Sequence, residues 1–225
     1  MRRLSCIALL GILAIAVPAH PAEGIFVKVR KGDTLFGIAR VFSTTVDRIR
    51  RDNHLRGDLI HPGQRLVLSG TRGVSDHWKG EVRVDPPIRG LERRDIVTSF
   101  GVKRSPRHRK IKQRHTGLDL RARKGSVLRA CARGVVRFSG DLSGFGRVLV
   151  IEHDGGWRSV YSPCDPSRVL VEVNEAVYRG QPLGYLAGGI ETEKPAVHFE
   201  LRRGQKAVDP TTHIRWPARG RKGSR

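Results

Sequence analysis

The chain has 225 residues, enough for one medium domain or for a small and a medium one. Its apolar share, 38%, excludes a chain too polar to bury a core. The 43 Lys and Arg against 21 Asp and Glu, formally +22, imply an anionic partner, with nucleic acid, anionic lipid and acidic envelope polymers all open on charge alone.

Arg2 and Arg3 precede the apolar run Ile7 to Val17, and Pro18 and Ala19 follow it. Val17 and Ala19 are small residues at minus three and minus one, so residues 1–19 read as a secretory signal peptide cleaved after Ala19. The run is shorter than the roughly 20 residues that a membrane-spanning helix needs. Cys6 lies before the run and is not read as a lipid-attachment cysteine. The rest of the chain is therefore expected outside the cytoplasm, in the periplasm or cell envelope, which argues against nucleic acid. Two cysteines remain after cleavage, Cys131 and Cys164. An oxidising compartment permits a disulfide between them, and two buried, free side chains are the alternative.

Residues 27–68 form a small module bounded by turn signals. Phe26 to Val29 alternates as a strand, and Lys31-Gly32-Asp33-Thr34 is a turn from which Asp33 or Thr34 can cap a helix. Leu35, Ile38, Ala39 and Phe42 recur at helical spacing, and a second helix runs from Val46 to about Asn53. His61-Pro62-Gly63-Gln64 turns into the strand Arg65 to Leu68, so the order is βααβ. The stretch Val29 to Leu35, Ile38-Ala39, Asn53 and Ile60 to Leu66 resembles a LysM domain over its full length. That resemblance implies binding of N-acetylglucosamine-containing glycans such as peptidoglycan. It places the sugar against Gly32, Asp33, Thr34 and Leu35 on one side and Ile60, His61 and Pro62 on the other.

Residues 69–85, rich in Gly and charge, are expected to be a linker. Residues 86–214 hold short Val/Ile/Leu-rich runs split by glycines: Ser126 to Ala130, Gly134 to Phe138, Arg147 to Glu152, Arg158 to Tyr161 and Val197 to Leu201. They predict an antiparallel all-β domain, making the chain mainly β. Residues 215–225 form a basic tail.

The large domain resembles the lysostaphin-type (LytM-like) zinc metallopeptidases. The match includes Thr98-Ser99-Phe100-Gly101, His115-Thr116-Gly117-Leu118-Asp119, Gly144-Phe145-Gly146, Gly180 to Gly184 and His198-Phe199-Glu200-Leu201. The resemblance implies one zinc ion held by His115, Asp119 and His198, with a fourth position open for water. It also implies two further histidines that handle the proton and the developing oxyanion. Here Pro163 and Ala196 stand in their places, and neither side chain donates a hydrogen bond or titrates. His108 and His153 are the other imidazoles at hand, and both read as solvated loop residues.

Three functions follow. The first is an envelope protein that binds peptidoglycan and regulates a cell-wall hydrolase, because a LysM module before a degenerate LytM-like domain resembles the NlpD-type activators of cell-wall amidases used in daughter-cell separation. The second is an active zinc endopeptidase of peptidoglycan cross-links. The third is a basic envelope-binding or nucleic-acid-binding protein with a vestigial metal site, whose Lys103 to Arg114 stretch and Arg219 to Arg225 tail support anion binding.

Overall fold

The computed structural model describes residues 25–42, 44–69, 82–104, 112–188 and 195–217. The expected signal peptide, most of the expected linker, the tail beyond residue 217 and His108 lie outside the described residues.

The small module consists of β1 (Phe26–Lys28), α1 (Leu35–Val41), α2 (Val46–Asp52) and β2 (Arg65–Val67), with β1 and β2 antiparallel. Both helices begin where the chain supplies a cap. The Thr34 hydroxyl accepts from Gly37 N at 3.0 Å and the Thr45 hydroxyl from Arg48 N at 3.2 Å. Asp47 in the first turn of α2 and Arg50 and Arg51 in its last match the helix dipole. Asn53 ties the end of α2 to β2, donating to the Ile49 and Val67 carbonyls and accepting from Val67 N. Leu35, Ile38, Ala39, Ile49, Val27 and Leu66 close the module's core.

The large domain follows as β3 (Ile96–Thr98), β4 (Gly101–Arg104), β5 (Lys112–His115), β6 (Leu118–Arg121), β7 (Val127–Arg129), β8 (Gly134–Leu142), β9 (Gly146–Glu152), β10 (Trp157–Cys164), β11 (Ala176–Val177), β12 (Pro182–Tyr185), β13 (Ala196–Arg203) and β14 (Lys206–Val208). The main sheet runs β11-β8-β9-β10-β13-β6-β3, with β14 also paired to β13, and every pairing in it is antiparallel. β4–β5 and β12–β7 form two further pairs. Strands β6 and β13 alternate cleanly: Leu118, Leu120, Val197, Phe199 and Leu201 are fully buried, and Asp119 and His198 turn to the opposite face.

Both ends of this domain reach further than the sequence suggests. Val82 and Val84, expected within the linker, are buried in the large core. Val84 N donates to the His213 carbonyl, and Arg215 N donates back to the Val84 carbonyl. Trp216, expected in the tail, also packs on that core. The alternation of valine with Arg83 and Asp85 is the strand-like signal behind the first of these.

The small module is seated directly on the large domain. Phe26 N donates to the Asn174 carbonyl at 3.1 Å, and Val135 and Ala176 complete the small module's core. Tyr178 meets the edge of Phe42, lies under the Arg30 guanidinium at 3.7 Å, and brings its hydroxyl to 3.2 Å from Asp33. Lys28 and Arg65 both pair with Glu172 across the same junction.

Cys131 and Cys164 are free and buried in one core, so they serve as small apolar side chains. His153 corrects the expectation of a solvated loop residue: it is 2% exposed. Its Nδ1 donates to the Arg133 carbonyl at 2.7 Å, and its Nε2 lies 2.7 Å from the Ser159 hydroxyl and 3.7 Å from Cys131 Sγ. With both ring nitrogens satisfied, a neutral imidazole can be buried at little cost. Burial pulls its pKa down to about 4, against a weaker opposing hydrogen bond to Arg133. An unfolded histidine titrates near 6.5, so the unfolded chain takes up the proton first as pH falls. Stability from this site is complete above about pH 6.5 and drains away between there and about pH 4, by roughly 3 kcal/mol. Melting temperatures recorded across that window should fall with acid in the native chain. His153→Asn should be less stable at neutral pH and show a shallower acid slope.

Candidate metal centre

Three strands assemble the centre. β5 ends on His115, β6 carries Asp119, and β13 carries His198 directly opposite Asp119 in register. A one-residue slip between β6 and β13 would turn His198 into the core, so the buried Val197 and Phe199 hold the site's register. Gly117, between the first two residues, has no room for a side chain: a Cβ would strike the Phe199 carbonyl oxygen and come within 2.9 Å of Glu200 Cγ.

The three sequence-predicted ligands converge. Asp119 Oδ1 is 3.1 Å from His115 Nε2 and 2.8 Å from His198 Nδ1, and the two imidazole nitrogens are 3.3 Å apart. Ligands at about 2.0–2.1 Å around a tetrahedral ion lie about 3.3 Å from one another, so this spacing fits a metal of that size. Two nitrogens and a carboxylate oxygen suit a borderline divalent ion.

The far side of each imidazole is held as a ligand's should be. His115 Nδ1 donates to the Ser99 carbonyl at 2.9 Å, leaving Nε2 its lone pair. His198 Nε2 donates to Glu200 Oε1 at 3.1 Å, leaving Nδ1 for the metal. Glu200 is in turn held by the Thr116 hydroxyl and by Arg202 at 2.6 Å. Neither Ser99 nor Glu200 stands out as a site residue from the sequence, although Glu200 follows His198 by two on a strand and so shares its face.

Burial disfavours the charged form of all three ionisable groups around His198, and their mutual contacts overcome it. The Asp119 carboxyl, pushed up by burial, is held well below the usual range by hydrogen bonds and charge from His115 and His198. Glu200 is likewise lowered despite burial, first by its bond to His198. Burial pulls the His198 pKa down, but hydrogen bonds to Asp119 and Glu200 raise it to about 9. A metal entering here displaces that proton. Glu200→Gln keeps the shape and removes the charge that orients His198; zinc affinity is expected to fall about 10–100-fold. Chelator competition measures it, with a melting curve to confirm the fold.

The two departures lie on β13 and on its neighbour β10. Ala196 lies two residues before His198 on the same face of β13, and Pro163 follows Ser162, which pairs with His198. The other described imidazoles are committed elsewhere. His153 is in the core, His213 bonds the Val82 carbonyl and packs on Trp157, and His54 and His61 belong to the small module.

In the small module the two predicted glycan-facing loops lie side by side, joined through Val29: Gly63 N donates to the Val29 carbonyl and Val29 N to the Gln64 carbonyl, each at 2.8 Å. Gly32 has φ +90° and shapes the first turn. Asp33 accepts from Arg30 N, Thr34 caps α1, and Leu35 turns its side chain into the core at 2% exposure. Leu35 can therefore offer a ligand only its backbone. Ile60 is half-buried, and His61 and Pro62 are exposed.

Residues 113–210 match peptidase family M23, and residues 27–69 match the LysM domain. The chain carries a LysM domain followed by an M23 domain. It is 31% identical over 131 residues to the cell division protein DipM of Caulobacter vibrioides, covering 55% of this chain and 20% of that protein. It is 25% identical over 221 residues to the uncharacterized lipoprotein YgeR of Escherichia coli, covering 89% and 84%. It is 34% identical over 97 residues to the murein hydrolase activator EnvC of Escherichia coli, covering 43% of this chain and 23% of that protein. Thus the chain spans about a fifth of DipM and most of YgeR. Among solved structures, a zinc-containing peptidase from Vibrio cholerae aligns with a TM-score of 0.50 at 26% identity, covering 57% of this chain and 39% of that one. The mainly antiparallel β architecture and the LysM helices agree with the fold class read from the sequence.

Proposed function

We propose that this chain is an exported, peptidoglycan-binding envelope protein whose M23 domain holds one zinc ion through His115, Asp119 and His198 and regulates a cell-wall hydrolase. The observation that carries the reading is the pairing of a complete ligand trio with Ala196 and Pro163 where proton-handling histidines are expected, and with the other described imidazoles engaged elsewhere. Zinc, when bound, would polarise a peptide carbonyl. The surrounding chain orients the ligands, and among the described residues it offers no second imidazole to carry a proton. The regulatory part is supported by the likeness to EnvC, named as a murein hydrolase activator, and to DipM, named as a cell division protein. Envelope placement is supported by the LysM domain and by the apolar N-terminal run; among the described residues no helix is long and apolar enough to cross a membrane. Glycan contact is assigned to the loops holding Gly32, Asp33 and Thr34 and Ile60, His61 and Pro62, with the backbone of Leu35. A cell-wall amidase is the partner this reading favours, and the surplus of positive charge adds attraction to acidic envelope polymers.

The test uses the full chain. Zinc content, binding to purified sacculi and release of muropeptides are measured together, with and without an added amidase. Bound zinc, sacculus binding, no release alone and faster release by the amidase would support the reading. Zinc-dependent release by the chain alone would establish the second reading, a zinc endopeptidase, which the intact trio and the likeness to the Vibrio cholerae peptidase favour.

A further inference from the structure

The face that carries the metal trio continues past it. Asp119 and Arg121 are two apart on β6, and Ala196 and His198 are two apart on β13, so each pair shares a face. Arg121 and Ala196 are opposite one another in register, one step along from the opposed Asp119 and His198. That step is about 7 Å, two residues of strand. Where a bulky side chain at position 196 would crowd the surface, a methyl group faces an arginine.

Arg121, Arg123 and Lys124 then line an open cavity of about 530 Å³ with Asp95, Ala122 and Pro195. All three cationic side chains are exposed. Among the described residues none of the three makes a side-chain hydrogen bond or ion pair, and Lys124 acts on Asp165 only through space. Asp95, the one acid in the lining among the described residues, is already engaged: its carboxylate accepts from Glu92 N at 2.9 Å. The loop presenting the cations is built into the domain. Ala122 N donates to the Pro195 carbonyl at 3.1 Å, Gly125 N to the Leu186 carbonyl at 2.9 Å, and Ser126 N to the Arg123 carbonyl at 3.0 Å.

Three cations around one cavity, none of them paired among the described residues, create a local field that selects an anion, and guanidinium groups favour a planar carboxylate. We propose that this cavity is a subsite for a carboxylate of a peptide laid across the metal trio, about two extended residues from it. The peptide is assumed to be a wall peptide, so the inference rests on the function proposed above. Arg121 is the central residue: it alone of the three shares the strand face of Asp119 and sits against the space that Ala196 leaves. The subsite therefore reads the charge of the ligand beside the metal, and amidation of that carboxyl would be its discriminating feature.

The test is calorimetric binding of two soluble muropeptides to the full chain, one with free peptide carboxylates and one with the same carboxyls amidated. The native chain is expected to bind the free acid about tenfold or more tightly, as charged hydrogen bonds of this kind imply. The triple variant Arg121→Ala, Arg123→Ala, Lys124→Ala should lose that preference while keeping its affinity for the amide. Arg121→Gln, a milder exposed change, should lose most of it, and melting curves report folding of both. Equal binding of acid and amide by the native chain, or an undiminished preference in the triple variant, would overturn the subsite. Binding of neither muropeptide would overturn it too. Sacculus sedimentation then separates the cases: retained sacculus binding leaves the wall-binding reading standing, and its loss removes both.

Discussion

Placing histidine at both positions, Pro163→His with Ala196→His, is expected to raise zinc-dependent muropeptide release from sacculi at least about a hundredfold over the native chain. A positioned acid or base is typically worth about 10²–10⁴ in rate. A donor to a developing oxyanion contributes about 10²–10³. The two act on the same step, so their product is not expected. At position 196 the geometry favours the outcome. Ala196 already faces the side of β13 that His198 uses, and Pro163 adjoins the residue paired with His198. Single variants should fall well short of the double one. If the double variant folds, binds zinc and remains as inactive as the native chain, the missing histidines are not what limits turnover. The regulatory reading would then need another basis.

The second large effect concerns the ligands themselves. His198→Ala should abolish stoichiometric zinc after dialysis, a loss beyond the roughly 10–100-fold that an orienting partner such as Glu200 commands. It also strips Glu200 of one of its three partners, which should cost about 1–3 kcal/mol in stability. Asp119→Asn removes charge without volume and should lose zinc with less damage to folding. The two variants together separate metal loss from structural collapse. Zinc retained at one equivalent in His198→Ala would mean that the trio is not the metal centre.

Much of this architecture is legible one residue at a time. The βααβ order of the small module follows from Thr34 as a cap and from the spacing of Leu35, Ile38 and Ala39, all short-range features, whereas the Thr45 cap of α2 emerges in the structure. The alternation on β13 and the pair His115 and Asp119 are likewise written locally, because strand and turn geometry repeat within a few residues. Other features depend on which distant segments meet. His153 looks solvated beside Asp154 and Gly155, yet Arg133 and Ser159 close on its two nitrogens and bury it. Glu200 becomes an orienting partner only because His198 presents Nδ1 to Asp119 and therefore turns Nε2 the other way. The seat of the small module on Tyr178, and the neighbouring of Arg121 and Ala196 beside the trio, come from pairings across scores of residues. The sequence by itself determined the element types, since periodicity and caps are properties of neighbours along the chain, and its resemblance to the lysostaphin-type peptidases implied the candidate ligands. Only the tertiary structure decided burial, hydrogen-bond direction and how the described charges are paired, since those depend on strand register and on the company each side chain keeps once distant strands are paired.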